Sequence, residues 1–149
     1  MSCGCNNVKS TPGYTLIENS TAQTWDSNGA LLQPGFVLEH SSANNISISG
    51  NALYVEHCGT YLIDVEVTGL PATASQTIIP TINVNSQPVA SNAITGGATP
   101  EMMEFNVRTI QFLGKGDIIT ISNNGASALT INGVTAPGYN VSIVIERFN

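Results

Sequence analysis

The chain has 149 residues, with four basic side chains against ten acidic ones and a formal net charge of −6. Apolar residues make up 42% of it and charged residues only 9%, against about 25% charged in an average globular domain. This balance excludes the basic footprint that a nucleic-acid binder needs and disfavours an anionic membrane surface. It also leaves Asn, Ser, Thr and Gln, or a partner, to cover the surface.

The opening stretch MSCGCNNVKS has no apolar core of the kind a secretory signal requires, so no secretion is expected and the chain is read as made in a host cytoplasm. No apolar run approaches the ~20 residues needed to span a bilayer. Residues 1–13 read as an N-terminal arm and 14–149 as one domain. No sustained helical stripe occurs in that domain. Short alternating or apolar runs recur instead, near 21–25, 30–38, 46–49, 52–58, 60–68, 78–84, 104–113, 117–122, 128–132 and 141–148. Asn28-Gly29, Asn124-Gly125 and Asn132-Gly133 are expected to supply positive φ for tight hairpins. Gly114-Lys115-Gly116-Asp117 reads as a turn between two strands. About ten short strands in one domain predict an all-β sandwich or barrel.

Alternation assigns two faces to three of these strands. In 60–68, Tyr61, Ile63, Val65 and Val67 belong to a core, while Leu62, Asp64 and Glu66 point the other way. In 104–113, Phe105, Val107 and Leu113 oppose Arg108, Ile110 and Phe112. In 141–148, Val141, Ile143 and Ile145 oppose Ser142, Val144, Glu146 and Phe148. A sandwich needs only one apolar face per sheet. Large apolar groups beside charges on the second face therefore read as a protein interface.

Gly59-Thr60-Tyr61-Leu62-Ile63 ahead of a strand, then Val107 to Leu113, then Gly116-Asp117-Ile118-Ile119, then a closing strand Val141 to Phe148, form an ordered set of motifs. In order and spacing they resemble the tumour-necrosis-factor and complement-head jelly roll. Within it they are most similar to the globular heads of bacterial spore-surface collagen-like fibres and related phage proteins. The resemblance runs from about Leu53 to Asn149. The chain departs from the family in lacking a Gly-x-y stalk and a signal peptide. The resemblance implies a jelly-roll sandwich of two antiparallel sheets and a homotrimer with its inner sheets around a threefold axis. Carried over residue by residue, it places Leu62, Asp64, Glu66, Arg108, Ile110, Phe112, Val144, Glu146 and Phe148 between subunits. Arg108 is expected to pair there with Asp64, Glu66 or Glu146, because an unpaired buried charge is costly.

No catalytic residue is expected. His57 and Cys58 are strand neighbours and point to opposite faces, so they cannot act as base and nucleophile together. Cys58 reads as a small buried apolar group, with Gly59 ending its strand. Asp64 and Glu66 have the composition of a glycosidase pair, but their i, i+2 spacing fits a polar sheet face better. Asp117 reads as a cap on backbone amides. Trp25, with Tyr14, Tyr54 and Tyr139, offers a sugar platform on paper; burial suits a lone tryptophan better.

Cys3-Gly4-Cys5 supplies two of the four ligands of a structural zinc site, with Cys58, His40 and His57 as candidates to complete it. C-x-C alone is weak, three cysteines argue against a disulfide framework, and a reduced tail is expected, with no metal and no cofactor. The arm, in particular Ser2, Cys3, Gly4, Cys5, Asn6 and Asn7, is read as the attachment segment. The functional expectation is a non-enzymatic trimeric structural protein on a particle surface, a phage head decoration or head fibre held by this arm to other virion proteins. The alternative is a receptor- or glycan-binding trimeric head of a spore-surface or adhesive protein, with the ligand at loops 71–77 or 93–100.

Overall fold

The computed structural model describes residues 13–19, 22–32, 37–41, 45–131 and 140–148. Among them there are strands and turns but no helix. In chain order the strands are β1 (Gly13–Asn19), β2 (Gln23–Trp25), β3 (Ala30–Leu31), β4 (Val37–Ser41), β5 (Ile46–Ser49), β6 (Ala52–Val55), β7 (Gly59–Pro71) and β8 (Thr77–Ile78). They continue with β9 (Pro80–Val84), β10 (Gln87–Ser91), β11 (Ile94–Thr95), β12 (Met103–Leu113), β13 (Ile118–Asn123), β14 (Leu129–Ile131) and β15 (Val141–Arg147).

Two antiparallel sheets form the sandwich. The first runs β2-β14-β7-β15-β1-β4, with β12 on the other edge of β7. The second runs β10-β9-β13-β6-β5, with β3 also paired to β13. The thirteen residues of β7 organise the first sheet. One edge carries β12 from Gly59 to Gly69, while the other carries β15 and then β14. Tyr61, Ile63, Val65 and Val67 from β7, Phe105 and Val107 from β12, and Val141, Ile143 and Ile145 from β15 fill one side of the core. Ile82, Ile119, Ile121 and Leu53 fill it from the second sheet. Period-two alternation thus assigned the core faces of all three long strands as the structure has them. Trp25 is fully buried, its indole Nε1 donating to the Ala30 carbonyl at 2.9 Å.

Several local expectations are corrected. The run 30–38 divides between two sheets, as β3 and β4. The run 52–58 stops at Val55, and Gly59 opens β7 rather than ending a strand; it pairs with Leu113. Asn28 and Gly29 do take positive φ (59° and 90°), but they join no hairpin. Their amides donate to the carbonyls of Gly125 and Asn123, capping the end of β13. Gly125 itself has no positive φ. Its side chain is excluded by space, because a Cβ there would run into the Thr77 carbonyl and come within 2.8 Å of Ile78 Cα. Asn132-Gly133 lies outside the described residues.

Cys58 is neither a free thiol nor fully buried: it is half-buried and disulfide-bonded. Sequence reasoning weighed cysteine number and compartment, which say nothing of which thiols the fold brings together. The chain's other cysteines, Cys3 and Cys5, lie outside the described residues, as does the whole attachment segment.

The turn at Gly114 forms as expected. Gly116 takes φ 89°, and Asp117 Oδ2 accepts from the Gly114 amide at 2.8 Å. Asp117 Oδ1 accepts from Asn85 Nδ2 at 2.9 Å, and Asn85 Oδ1 accepts from the Ile118 amide at 3.0 Å. These bonds join the 114–117 turn to the β9–β10 hairpin turn.

Candidate assembly interface

The outward face of the first sheet gathers eight of the nine interface candidates on paired strands, because register sets side chains that share a face in rungs across the sheet. One rung reads Ile110, Leu62, Glu146, Tyr14 across β12, β7, β15 and β1. The next reads Arg108, Asp64, Val144, Leu16, and the one after it places Asn106 and Ser142 on either side of Glu66. At the other end Phe112 faces Thr60, and the ninth candidate, Phe148, donates its amide to the Thr60 carbonyl at 2.9 Å.

The face is graded. Phe112 (69% exposed), Ile110 (60%), Phe148 (44%) and Tyr14 (42%) occupy its apolar end. Four of the five large exposed apolar side chains among the described residues thus share one end of one sheet face. Scattered exposed apolar residues need no explanation, but a contiguous patch marks an interaction site. Tyr14 and Leu16 were missed by sequence reasoning. The alternation in Gly13-Tyr14-Thr15-Leu16-Ile17 was the available signal, since it puts Thr15 and Ile17 in the core.

Arg108 pairs with Asp64 within the same chain. Its Nε and Nη2 both donate to Asp64 Oδ2, at 3.1 and 2.5 Å. The hydrogen bond and the charge of Asp64, with a smaller contribution from Glu66, hold the guanidinium proton more firmly than usual. Glu66 and Glu146 make no ion pair among the described residues, so the rungs beside Arg108 carry an excess of negative charge.

The remaining candidates do not converge. Asp64 is occupied by Arg108, and His57 is exposed. No group of three or more His, Cys, Asp or Glu is placed to hold a metal ion among the described residues. Trp25 lies in the core, away from any sugar platform. Arg147, at the end of β15, is buried on the core side. Its Nη2 donates to the Cys58 carbonyl at 2.6 Å and its Nη1 to Asn45 Oδ1 at 3.3 Å, pinning the β6–β7 connection to the last strand.

No protein-family model matches this chain, and no curated protein matches it in sequence. Solved structures do. Murine APRIL at pH 5.0 is 11% identical, with a TM-score of 0.71 over 93% of this chain and 100% of the other. Eiger TNF from S. frugiperda is 13% identical, with a TM-score of 0.70 over 93% of this chain and 94% of the other. Murine APRIL at pH 8.0 superposes with a TM-score of 0.62 at 11% identity, over 93% of this chain and 100% of that one. At such identities the likeness speaks for the fold alone. The chain has the TNF-like jelly-roll fold.

Proposed function

We propose that this chain is a non-enzymatic structural protein that assembles as a homotrimer through the outward face of its first sheet. The observation that carries this reading is the apolar end of that face, where Phe112, Ile110, Phe148 and Tyr14 stand exposed in adjoining rungs. The nine residues expected between subunits all belong to this one surface. A trimer covers three such faces at once, and the likeness to TNF-like folds supports that arrangement over a dimer.

The finer reading is a component displayed on a particle surface, a phage head decoration or head fibre attached through the N-terminal arm. The scarcity of charge and the motif resemblance to phage and spore-surface heads support it. Surface display would be its location, with synthesis in the host cytoplasm.

Solution mass by light scattering after size exclusion tests the assembly. Three chains per particle, unchanged by chelator, is the expected result. A monomer would overturn the reading. Removal of residues 1–12, which leaves β1 whole, tests attachment: particles should lose the protein while the trimer persists.

A further inference from the structure

The second sheet has its own outward face, and a cleft of about 300 Å³ opens there. Its floor is Asn83, Thr120 and Ser122, with Asn124 at one end. Asn83 pairs with Thr120 across β9 and β13, alternating along their strands with the core residues Ile82, Ile119 and Ile121. The floor therefore points away from the core.

A hydrogen-bonded relay crosses this floor. Asn83 Nδ2 donates to Ser122 Oγ at 2.9 Å and to the Thr120 carbonyl at 3.4 Å. Ser122 Oγ in turn donates to Asn124 Oδ1 at 3.0 Å. The relay sets which way both amides face. It consumes the amino group of Asn83 and the carbonyl of Asn124. Among the described residues nothing engages Asn83 Oδ1 or Asn124 Nδ2. An acceptor and a donor are thus left at opposite ends of one fixed network. Asn83 is only 7% exposed and Ser122 3%, which holds the relay in place, while Asn83 Oδ1 stays accessible from the cleft.

The chemistry of the lining narrows what fits. It has no ionisable side chain, which disfavours anions and amines alike, since neither finds a countercharge. Leu31 and Pro88 supply apolar walls, and Ser86 and Thr120 add hydroxyls. Neutral polar groups of both senses, set between small apolar surfaces, match the face of a pyranose ring, whose hydroxyls donate and accept while its C–H groups pack. The volume is at the lower end for a small-molecule site, about one ring in size.

We propose that this cleft, between β3, β9, β10 and β13, binds a neutral pyranose unit of a glycan, with Asn83 Oδ1 accepting from a ring hydroxyl and Asn124 Nδ2 donating to a neighbouring one. The site lies on the other sheet from the assembly face, so it stands whether or not the chain trimerises.

The test is an amide-resolved NMR titration of the full chain with the methyl glycosides of glucose, galactose, mannose and N-acetylglucosamine, into the tens of millimolar. Saturable shifts at the side-chain amides of Asn83 and Asn124 and at the Thr120 amide, from at least one sugar, are expected. Asn124→Ala, at an exposed position, and Thr120→Val should each weaken that binding about tenfold, the factor that loss of one hydrogen bond produces. Core amides of both variants should keep their wild-type shifts, which separates lost binding from lost folding. No saturable shift with any of the four sugars would overturn the proposal. So would shifts confined to residues 71–77 or 93–100, or binding that both variants retain in full.

Discussion

Arg108 and Asp64 sit directly opposite each other on β12 and β7, and both guanidinium donors in the pair converge on one carboxylate oxygen. The pair is internal to one subunit, so it neutralises charge on the assembly face before any partner arrives. Glu66, the neighbour of Asp64 on that face, and Glu146, on the adjacent strand, lack such a partner among the described residues. Arg108→Met should leave the charges of Asp64, Glu66 and Glu146 unbalanced and weaken assembly, most at low ionic strength and least in high salt, where like charges are screened. Folding of the single chain should be indifferent, because the pair is exposed there. Light scattering across a salt series checks this; a trimer unaffected at low salt would place the pair outside the interface.

Phe112 contributes nothing to the core and most of its surface is open. Phe112→Asp should convert trimers to monomers without lowering the melting temperature of the chain itself. Burying one large apolar side chain is worth about 2 kcal/mol, and the variant replaces that gain with a desolvated charge in every subunit. Sedimentation of the variant beside the wild type reads the outcome. Retained trimers would show that the apolar end of the face stays in water.

Gly125 is packed against the backbone of Thr77, Ile78 and Ile79, with no room for a side chain. Its amide also donates to Asn123 Oδ1, which accepts from the Ile79 amide as well. Gly125→Ala must push these segments apart. A loss of about 1–3 kcal/mol is expected, the range for overpacked sites, and it should lower the melting temperature by several degrees. Gly116→Ala makes a useful contrast, since nothing crowds that position and only its φ of 89° is strained.

How much of this was legible in the sequence depended on strand length. β7, β12 and β15 each offer a long alternation, and their faces followed from it. β1 and β10 were missed for different reasons. β1 follows a segment read as an arm. β10 carries Pro88, which reads as a strand breaker, yet it is an edge strand with a register shift between Pro88 and Ala90, where a missing amide costs nothing. Its hairpin turn is Asn85-Ser86, both at positive φ (50° and 67°), without the glycine that usually announces such a turn. The grading of the assembly face was not legible at all. It depends on which residues meet across strands, and that is set by pairings between segments distant in sequence.

Tyr61 gives the fold a limit at high pH. Its hydroxyl donates to the His57 carbonyl at 2.5 Å, and burial pushes the phenol above its ordinary value of 10.0, with Arg147 drawing it partly back. The folded value is the higher one, so the stabilisation is fully present below about pH 10 and is lost as pH rises through the folded value. Tyr61→Phe should cost about 1 kcal/mol at neutral pH through the unpaired carbonyl. It should also flatten the alkaline limb of the stability curve. Denaturant unfolding at pH 7 and at several points above pH 9 separates the two effects.

The disulfide at Cys58 sets a thiol count. With three cysteines in the chain and Cys58 bonded, alkylation of denatured, unreduced protein should add one label per chain. Reduction first should raise the number to three. Three labels without reduction would remove the bond and restore the expectation of free thiols.

The position of β7 also governs how the chain is born. Its two long neighbours, β12 and β15, follow it by dozens of residues, and β15 comes last among the described strands. A nascent chain that has emerged through Ile131 has β1, β7 and β12 in hand, but not β15, the strand that joins β1 to β7. Tyr61, Ile63, Val65 and Val67 then wait beside the one open edge of β7 that β15 will cover, a state prone to pairing with the wrong chain. The first sheet closes only once β15 has emerged, so crowded polysomes are where this protein is exposed to misassembly before that point.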